Sequence, residues 1–331
     1  MESEDKQVKQ KLEVLDILKE AVTIYVKNIN FIIFNLLTSL PFFCVMVYFE
    51  ILLQKTMVET PEILNHLDVY DKYYWHRFER YHFNQNSNDR SFSKDYLPYL
   101  IQLGFIYLVP LHVLELCSAA VTMDLASKLR SEENKISLKQ MFQKSIGIST
   151  MKGTLITSLY MLFLSNCILL AFPWIVNICY MLYMFFGCDI FFAVICCLAL
   201  AKLLLMYSEW SAIWNMSIVI SVLEGAYGVR ALGVSYFFSR GNQERGLLLM
   251  LVFFTLGLCL RVSCFSFGFY EGGYGIFLQI GLFCVLNTLK WLSCMVYFYD
   301  CKERKVEKKV AEEAGKDLES ASSKTFSLNT K

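Results

Sequence analysis

The sequence is poor in charge and in histidine. Asp, Glu, Lys and Arg make up 18% of the 331 residues, whereas they make up about a quarter of an ordinary soluble domain. No separate basic domain is present, which argues against nucleic-acid binding. The 4 histidines, at positions 66, 76, 82 and 112, do not form a cluster on one helix face, so we predict no metal site.

The sequence also lacks the short motifs of common enzyme classes. It contains no G-x-S-x-G, no H-E-x-x-H and no P-loop. We therefore expect no catalytic residues, no cofactor and no enzymatic activity. Acidic residues follow Met1 closely, and a cleavable signal peptide would instead begin with a basic and then an apolar stretch. We expect the first membrane span to act as the targeting signal.

Long apolar runs with few charges are the dominant feature of the chain. A helix needs about 20 mostly apolar residues to cross a bilayer, and the runs accommodate six such crossings. We predict one membrane domain over residues 1–300, followed by a disordered, charged cytosolic tail over 301–331. The predicted spans are 29–53, 97–123, 153–179, 184–207, 246–269 and 274–299.

A short amphipathic helix precedes every second span. The three short helices are predicted at 6–28, 136–151 and 223–240. The predicted fold is thus an all-α membrane protein whose six transmembrane helices form three repeats of an amphipathic helix plus a helical hairpin. The first short helix is basic and suits either the membrane surface or a position packed on the end of the helix bundle.

The distribution of Lys and Arg predicts the orientation of the spans. Twenty-two basic residues lie in the segments that include both termini and the short helices, and six lie in loop 54–96. Because cytosolic segments carry the excess of basic residues, both termini are predicted to be cytosolic. We expect this membrane to be that of the endoplasmic reticulum, another endomembrane or the plasma membrane. Residues 302–309, KERKVEKK, are expected to attract anionic lipid at the cytosolic face.

Ionisable residues inside spans are the first candidate site, because such residues are costly and are usually paired or functional. Glu115, Lys202 and Lys290 fall in spans 2, 4 and 6, and Glu209 lies seven positions after Lys202. Glu115 is expected either to pair with one of the lysines or to help form a substrate or lipid-headgroup site.

Three further residues receive separate interpretations. Glu50 and Arg261 are expected to extend towards the membrane interface independently, as long polar side chains do near helix ends. Cys301, at the end of the last span, is a candidate palmitoylation site. The cysteines inside the apolar runs are expected to be free thiols that pack as small apolar side chains.

Three segments resemble a plant family of uncharacterised six-span membrane proteins, some of which are labelled as polyadenylate-binding-protein-binding. The segments are DILKEAVTIYVKNINFIIF at 16–34, KISLKQMFQKS at 135–145 and SEWSAIWNMSIVISVLEGAYGVRALGVSYFFSRGNQERG at 208–246. The last is also similar to the membrane domain found beside bacterial glycerophosphodiester phosphodiesterases. The resemblance implies a membrane architecture and supplies no catalytic residue.

These features favour a non-catalytic multi-pass membrane protein that organises a membrane, takes part in trafficking or regulates partners. Its expected partners are the lipid bilayer and proteins whose identity the sequence does not indicate. One alternative is a small-solute or lipid transporter that uses the charges within the spans. A second alternative is a membrane-embedded lipid enzyme.

Overall fold

The computed structural model describes residues 13–75, 101–131, 148–186, 189–266 and 274–328. Every regular element in these ranges is helical and none is a β-strand, which confirms the prediction of an all-α protein. The α-helices numbered in chain order are α1 (Val14–Lys27), α2 (Ile29–Trp75), α3 (His112–Ser131), α4 (Ile148–Leu169), α5 (Ala171–Phe186), α6 (Asp189–Leu223), α7 (Val229–Ser239), α8 (Gln243–Ser266) and α9 (Tyr274–Leu328). Residues 101–106 are also α-helical.

Within the described residues, six helical segments are long and apolar enough to cross a membrane. Their number and order agree with the six predicted spans. The segments are Ile29–Leu53, Ile101–Arg130, Met151–Met181, Val194–Leu223, Gln243–Val262 and Gly275–Lys308.

The fourth segment extends farther along the chain than the predicted fourth span. The predicted span ends at residue 207, whereas α6 continues to Leu223, because no Gly or Pro interrupts the chain before Gly225. Gly225 and Gly228 have φ angles of +67° and +60°, a backbone region that glycine adopts without steric cost. They form the turn into α7, so the third short helix begins at Val229 and not at 223.

A single asparagine separates the first short helix from the first span. Asn28 adopts an extended backbone conformation after α1. Its Oδ1 accepts a hydrogen bond from the Asn30 backbone N–H at 3.0 Å, which caps the first turn of α2. The chain therefore changes direction between α1 and α2 without a loop.

The hairpin of spans 3 and 4 forms from α4, α5 and α6. Pro173 lies in the first turn of α5, where its missing N–H leaves no hydrogen bond unmade. The Ser165 and Tyr207 hydroxyls share a hydrogen bond of 3.1 Å between α4 and α6. Helix α5 ends at Phe186 and α6 begins at Asp189, a few residues later than the predicted boundary between spans 3 and 4 at 179–184.

Two helices extend beyond their apolar segments. The polar region 54–96 begins as a continuation of α2 to Trp75. Helix α9 continues to Leu328, where we predicted a disordered tail from residue 301. The physical reason is that residues 302–319 are rich in Lys, Glu and Ala, which have high helix propensity. Most of the predicted short helix 136–151 lies outside the described residues, and α4 begins at its end.

The chain forms two compact units, and α2, α3, α8 and α9 each contribute to both. Unit 1 comprises Met1–Phe34, Ala119–Leu258 and Leu286–Lys331, and unit 2 comprises Asn35–Ser118 and Cys259–Val285. The core of unit 1 includes the fully buried side chains of Phe31, Met123, Met216, Ile220, Leu249, Leu292, Met295 and Tyr297. The core of unit 2 includes Phe42, Leu111, Ile276, Ile280 and Cys284.

Candidate functional site

The charged residues predicted within spans 4 and 6 occupy different environments in unit 1. Lys202 on α6 is exposed at the surface of the helices. Its role as a charge within a span stays a prediction. Glu209 is partly buried and lies two helical turns farther along the same face, about 10 Å away along the axis. Lys290 is partly buried, and its Nζ lies 4.7 Å from the centroid of the Trp291 ring.

Glu115 belongs to unit 2 and is partly buried on α3. It follows one turn of π-helix, Tyr107–Leu111, which contains Pro110. Such turns are frequent at functional sites. The convergence of Glu115 with Lys202 or Lys290 stays a prediction.

Glu50 and Arg261 are partners, although we expected each to extend independently towards the membrane interface. Both belong to unit 2, and Arg261 Nη2 lies 3.5 Å from Glu50 Oε1. The Glu50 side chain is 6% exposed. A buried carboxylate needs a partner of opposite charge, and Arg261 is that partner within the unit. The sequence separation of 211 residues explains why the pair was missed.

The predicted palmitoylation site does not fit the structure. Cys301 is fully buried, and its Sγ lies 3.7 Å from Asn242 Nδ2. An acyltransferase requires an accessible thiol, and this thiol is covered by the segment between α7 and α8. The prediction placed Cys301 at the exposed end of a span because the sequence does not show which element packs there.

A buried carboxylate next to Cys301 forms an ion-pair cluster that the sequence analysis did not predict. Asp300 is 7% exposed and bridges two arginines. Its Oδ2 lies 3.2 Å from Arg245 Nη1 and 2.9 Å from Arg304 Nε. Its Oδ1 accepts a second hydrogen bond from Arg304 Nη2 at 2.9 Å. We call these three residues the Asp300 cluster.

Two further contacts fix the segment between α7 and α8 to this cluster. Arg245 Nη2 donates to Asn242 Oδ1. The Tyr297 hydroxyl donates to the Asn242 carbonyl oxygen at 3.0 Å. Residues 297–304 of α9, the start of α8 and the turn after α7 are therefore held together by several hydrogen bonds. Those that involve Asp300 or an arginine are charge-assisted, which are the stronger kind.

Helix α1 is attached to unit 1 along one edge. Ile17 and Ala21 are fully buried on that edge, and burial raises the pKa of the nearby Tyr25 hydroxyl above its ordinary value. Glu20 forms an ion pair of 3.1 Å with Arg130 at the end of α3. The opposite face exposes three large apolar side chains and a lysine: Leu15, Val22, Val26 and Lys19.

Helix α7 is attached in a similar manner. The small side chains of Ala231, Ser235 and Ser239 recur at every fourth position and are buried, which permits close helix packing. The Ser235 hydroxyl donates to the Ile213 carbonyl oxygen of α6 at 2.7 Å. The opposite face exposes apolar, aromatic and basic side chains: Val229, Arg230, Tyr236, Phe237 and Arg240.

Both short helices lie beside residues 298–300 of α9. Phe298 of α9 packs edge-on against Phe238 of α7, with ring centroids 5.9 Å apart. The next residue, Tyr299, lies under the Arg130 guanidinium at 4.8 Å, and Arg130 in turn binds Glu20 of α1. Asp300, the first charge after Lys290, follows directly. Unit 1 thus carries two amphipathic helices around one end of its apolar helices.

The predicted absence of a metal site stays a prediction for the whole chain. Within the ranges that the structure describes, no group of three or more His, Cys, Asp or Glu residues is placed to hold a metal ion. His76 and His82, in the predicted outside loop, lie outside those ranges.

Comparison with known proteins identifies the family but no function. No curated protein matches the chain, and no solved structure matches it. The resemblance to plant six-span proteins and to the phosphodiesterase membrane domain stays a prediction. The family model described as "Domain of unknown function (DUF8558)" matches residues 1–309, so the chain belongs to that family.

Proposed function

We propose that this protein is a non-catalytic integral membrane protein that organises the membrane around it. The observation that supports this proposal most directly is the pair of amphipathic helices, α1 and α7. Each buries one edge in unit 1 and exposes apolar and basic side chains on the other. A helix of this kind lies in the plane of the membrane surface with its apolar face about 5–10 Å deep.

The mode of attachment gives these helices their proposed role. The Glu20–Arg130 ion pair and the Ser235–Ile213 hydrogen bond hold α1 and α7 against unit 1. Fixed helices at the end of the apolar segments insert into one leaflet only, and so they expand that leaflet relative to the other. A third such helix is predicted at 136–151, and the proposal of three repeats includes it.

The excess of basic residues on this side supports a cytosolic position for α1, α7 and both termini. The membrane is the endoplasmic reticulum, another endomembrane or the plasma membrane. Anionic lipid in the cytosolic leaflet is the proposed lipid partner. Protein partners that take part in trafficking or regulation would bind from the same side.

The test is reconstitution of the full chain into liposomes at increasing protein-to-lipid ratios, with vesicle diameter measured by electron cryomicroscopy. We expect the wild-type protein to produce smaller or tubular vesicles. The variant Leu15→Gln/Val22→Gln/Val26→Gln removes the exposed apolar face of α1 and should leave vesicles closer to their protein-free diameter. Thr23→Gln, also exposed on α1, is the matched control and should behave as wild type.

Two outcomes would contradict this proposal. One is a vesicle diameter that does not depend on the amount of protein. The other is solute flux or lipid scrambling that is lost in Glu115→Gln, which would support the transporter alternative. One feature supports that alternative. The π-helical segment Tyr107–Leu111 lies just before Glu115, an ionisable residue within a span.

A further inference from the structure

Some basic side chains around α7 have carboxylate partners and others do not. Lys302 Nζ lies 2.6 Å from Glu224 Oε1, and Arg245 and Arg304 bind Asp300. Arg230, Arg240 and Lys305 have no carboxylate partner among the described residues. The ion pairs therefore leave an excess of positive charge along this helix.

The geometry places one of these cations against an exposed aromatic ring. Lys305 Nζ lies 4.8 Å from the centroid of the Phe237 ring, a distance at which a cation and a ring face attract each other. Arg240 follows Phe237 by three positions at the end of α7. Lys305 thus lies against Phe237, whose ring remains partly exposed, and Arg240 lies about one helical turn farther along α7.

The acidic residues of the same part of α9 lie away from this surface. At about 100° per residue, Glu303 and Glu307 are each roughly 160° around the helix from Lys305. Positive charge is therefore concentrated towards α7. Val229, Tyr236 and Phe237 expose apolar and aromatic surface on the α7 face that carries Arg240. Tyr side chains prefer the headgroup level of a membrane.

We propose that Arg240 and Lys305, together with Phe237, form a binding site for the phosphate of an anionic phospholipid in the leaflet that α7 contacts. The positive charge favours binding of an anionic group. The exposed apolar face of α7 favours an anion that is part of a membrane lipid. Phe237 would contact the glycerol and upper acyl region beneath the bound phosphate. This inference rests on the proposed position of α7 at the membrane surface and adds the lipid class and its site.

The experiment is native mass spectrometry of the full chain in detergent with an equimolar mixture of phosphatidylglycerol and phosphatidylcholine. We expect the wild-type protein to retain phosphatidylglycerol preferentially. Arg240→Gln/Lys305→Gln should reduce that preference roughly tenfold, since each basic residue near an anionic lipid contributes several-fold to binding. Lys19→Gln/Lys27→Gln removes the same charge from exposed positions of α1 and should retain most of the preference.

Three results would overturn the proposal. The first is an unchanged lipid preference in Arg240→Gln/Lys305→Gln, and the second is an equal loss in the α1 control, which would indicate net charge rather than a site. The third is displacement of the lipid by an equal concentration of inorganic phosphate, which would indicate a site for free phosphate. Failure of the liposome experiment alone would contradict membrane organisation but not this site, because lipid binding in detergent does not require a change in vesicle shape.

Discussion

Replacement of Asp300 by Asn is expected to lower the free energy of unfolding by about 3–5 kcal/mol, the usual effect of removing one partner of a buried ion pair. The two arginines that Asp300 bridges are 21% and 14% exposed. Their charges would remain in place without the carboxylate that balances them. The amide of Asn supplies one acceptor oxygen, so it cannot bind both guanidinium groups as the carboxylate does.

The measurement is equilibrium unfolding of the purified full chain in detergent micelles, followed by circular dichroism. Asp124→Asn is the matched control, because Asp124 pairs with Lys128 on one helix and both side chains are about a quarter exposed or more. That pair is expected to contribute only about 0.5 kcal/mol. Equal losses in the two variants would contradict the central structural role of the Asp300 cluster.

Replacement of Gly246 by Val is expected to destabilise unit 1 by about 3 kcal/mol, because the added side chain overlaps its neighbours. A Cβ at this position would lie 2.9 Å from the Tyr297 hydroxyl and 3.0 Å from the Ala212 Cβ. Displacement of Tyr297 would also disrupt its hydrogen bond to the Asn242 carbonyl, which fixes the turn next to the Asp300 cluster. The first turn of α8 would separate from α6 and α9.

Gly257→Val provides the control for this prediction. Gly257 lies on the same helix with no neighbouring atom within 4 Å of an added Cβ, so the same substitution should change stability by less than about 1 kcal/mol. The thermal unfolding midpoints of the two variants in detergent can be compared directly. A Gly246→Val protein as stable as Gly257→Val would show that α6, α8 and α9 do not pack as closely as described.

The helices were largely predictable from the sequence because their signals are local. Runs of about 20 apolar residues predict spans wherever they occur, and the amphipathic pattern before Asn28 predicts α1. The third short helix is predicted from residue 223, although Gly225 and Gly228 form the turn before α7. Periodicity alone did not distinguish the end of α6 from the beginning of α7.

The candidate site was less predictable because its contacts join distant parts of the chain. Asp300 and Arg304 are four residues apart and form a recognisable helical pair. Arg245 is 55 residues from Asp300, and nothing local indicates that it completes the cluster. The exposure of Lys202 shows a related limit. The position of a single charged residue in an apolar run shows where along the span the residue lies. It does not show which face of the helix carries that residue.

The amphipathic pattern of α1 did not determine where that helix lies. The composition of α1 fitted either the membrane surface or a position packed on the bundle. The structure shows that one edge, with Ile17 and Ala21, is packed and that the other, with Leu15, Val22 and Val26, is exposed. The membrane-surface position of that exposed face is the central claim of the functional proposal.

The most direct test of this claim is the depth of positions 22 and 236 in a bilayer. A nitroxide can be attached to a ketone-bearing amino acid at Val22 and, separately, at Tyr236 of the full chain in lipid nanodiscs, which avoids the native cysteines. Power-saturation electron paramagnetic resonance then compares collisions with oxygen and with a water-soluble nickel complex. The proposal predicts that both probes lie about 5–10 Å below the headgroup boundary. Probes that collide mainly with the nickel complex, as in bulk water, would contradict it.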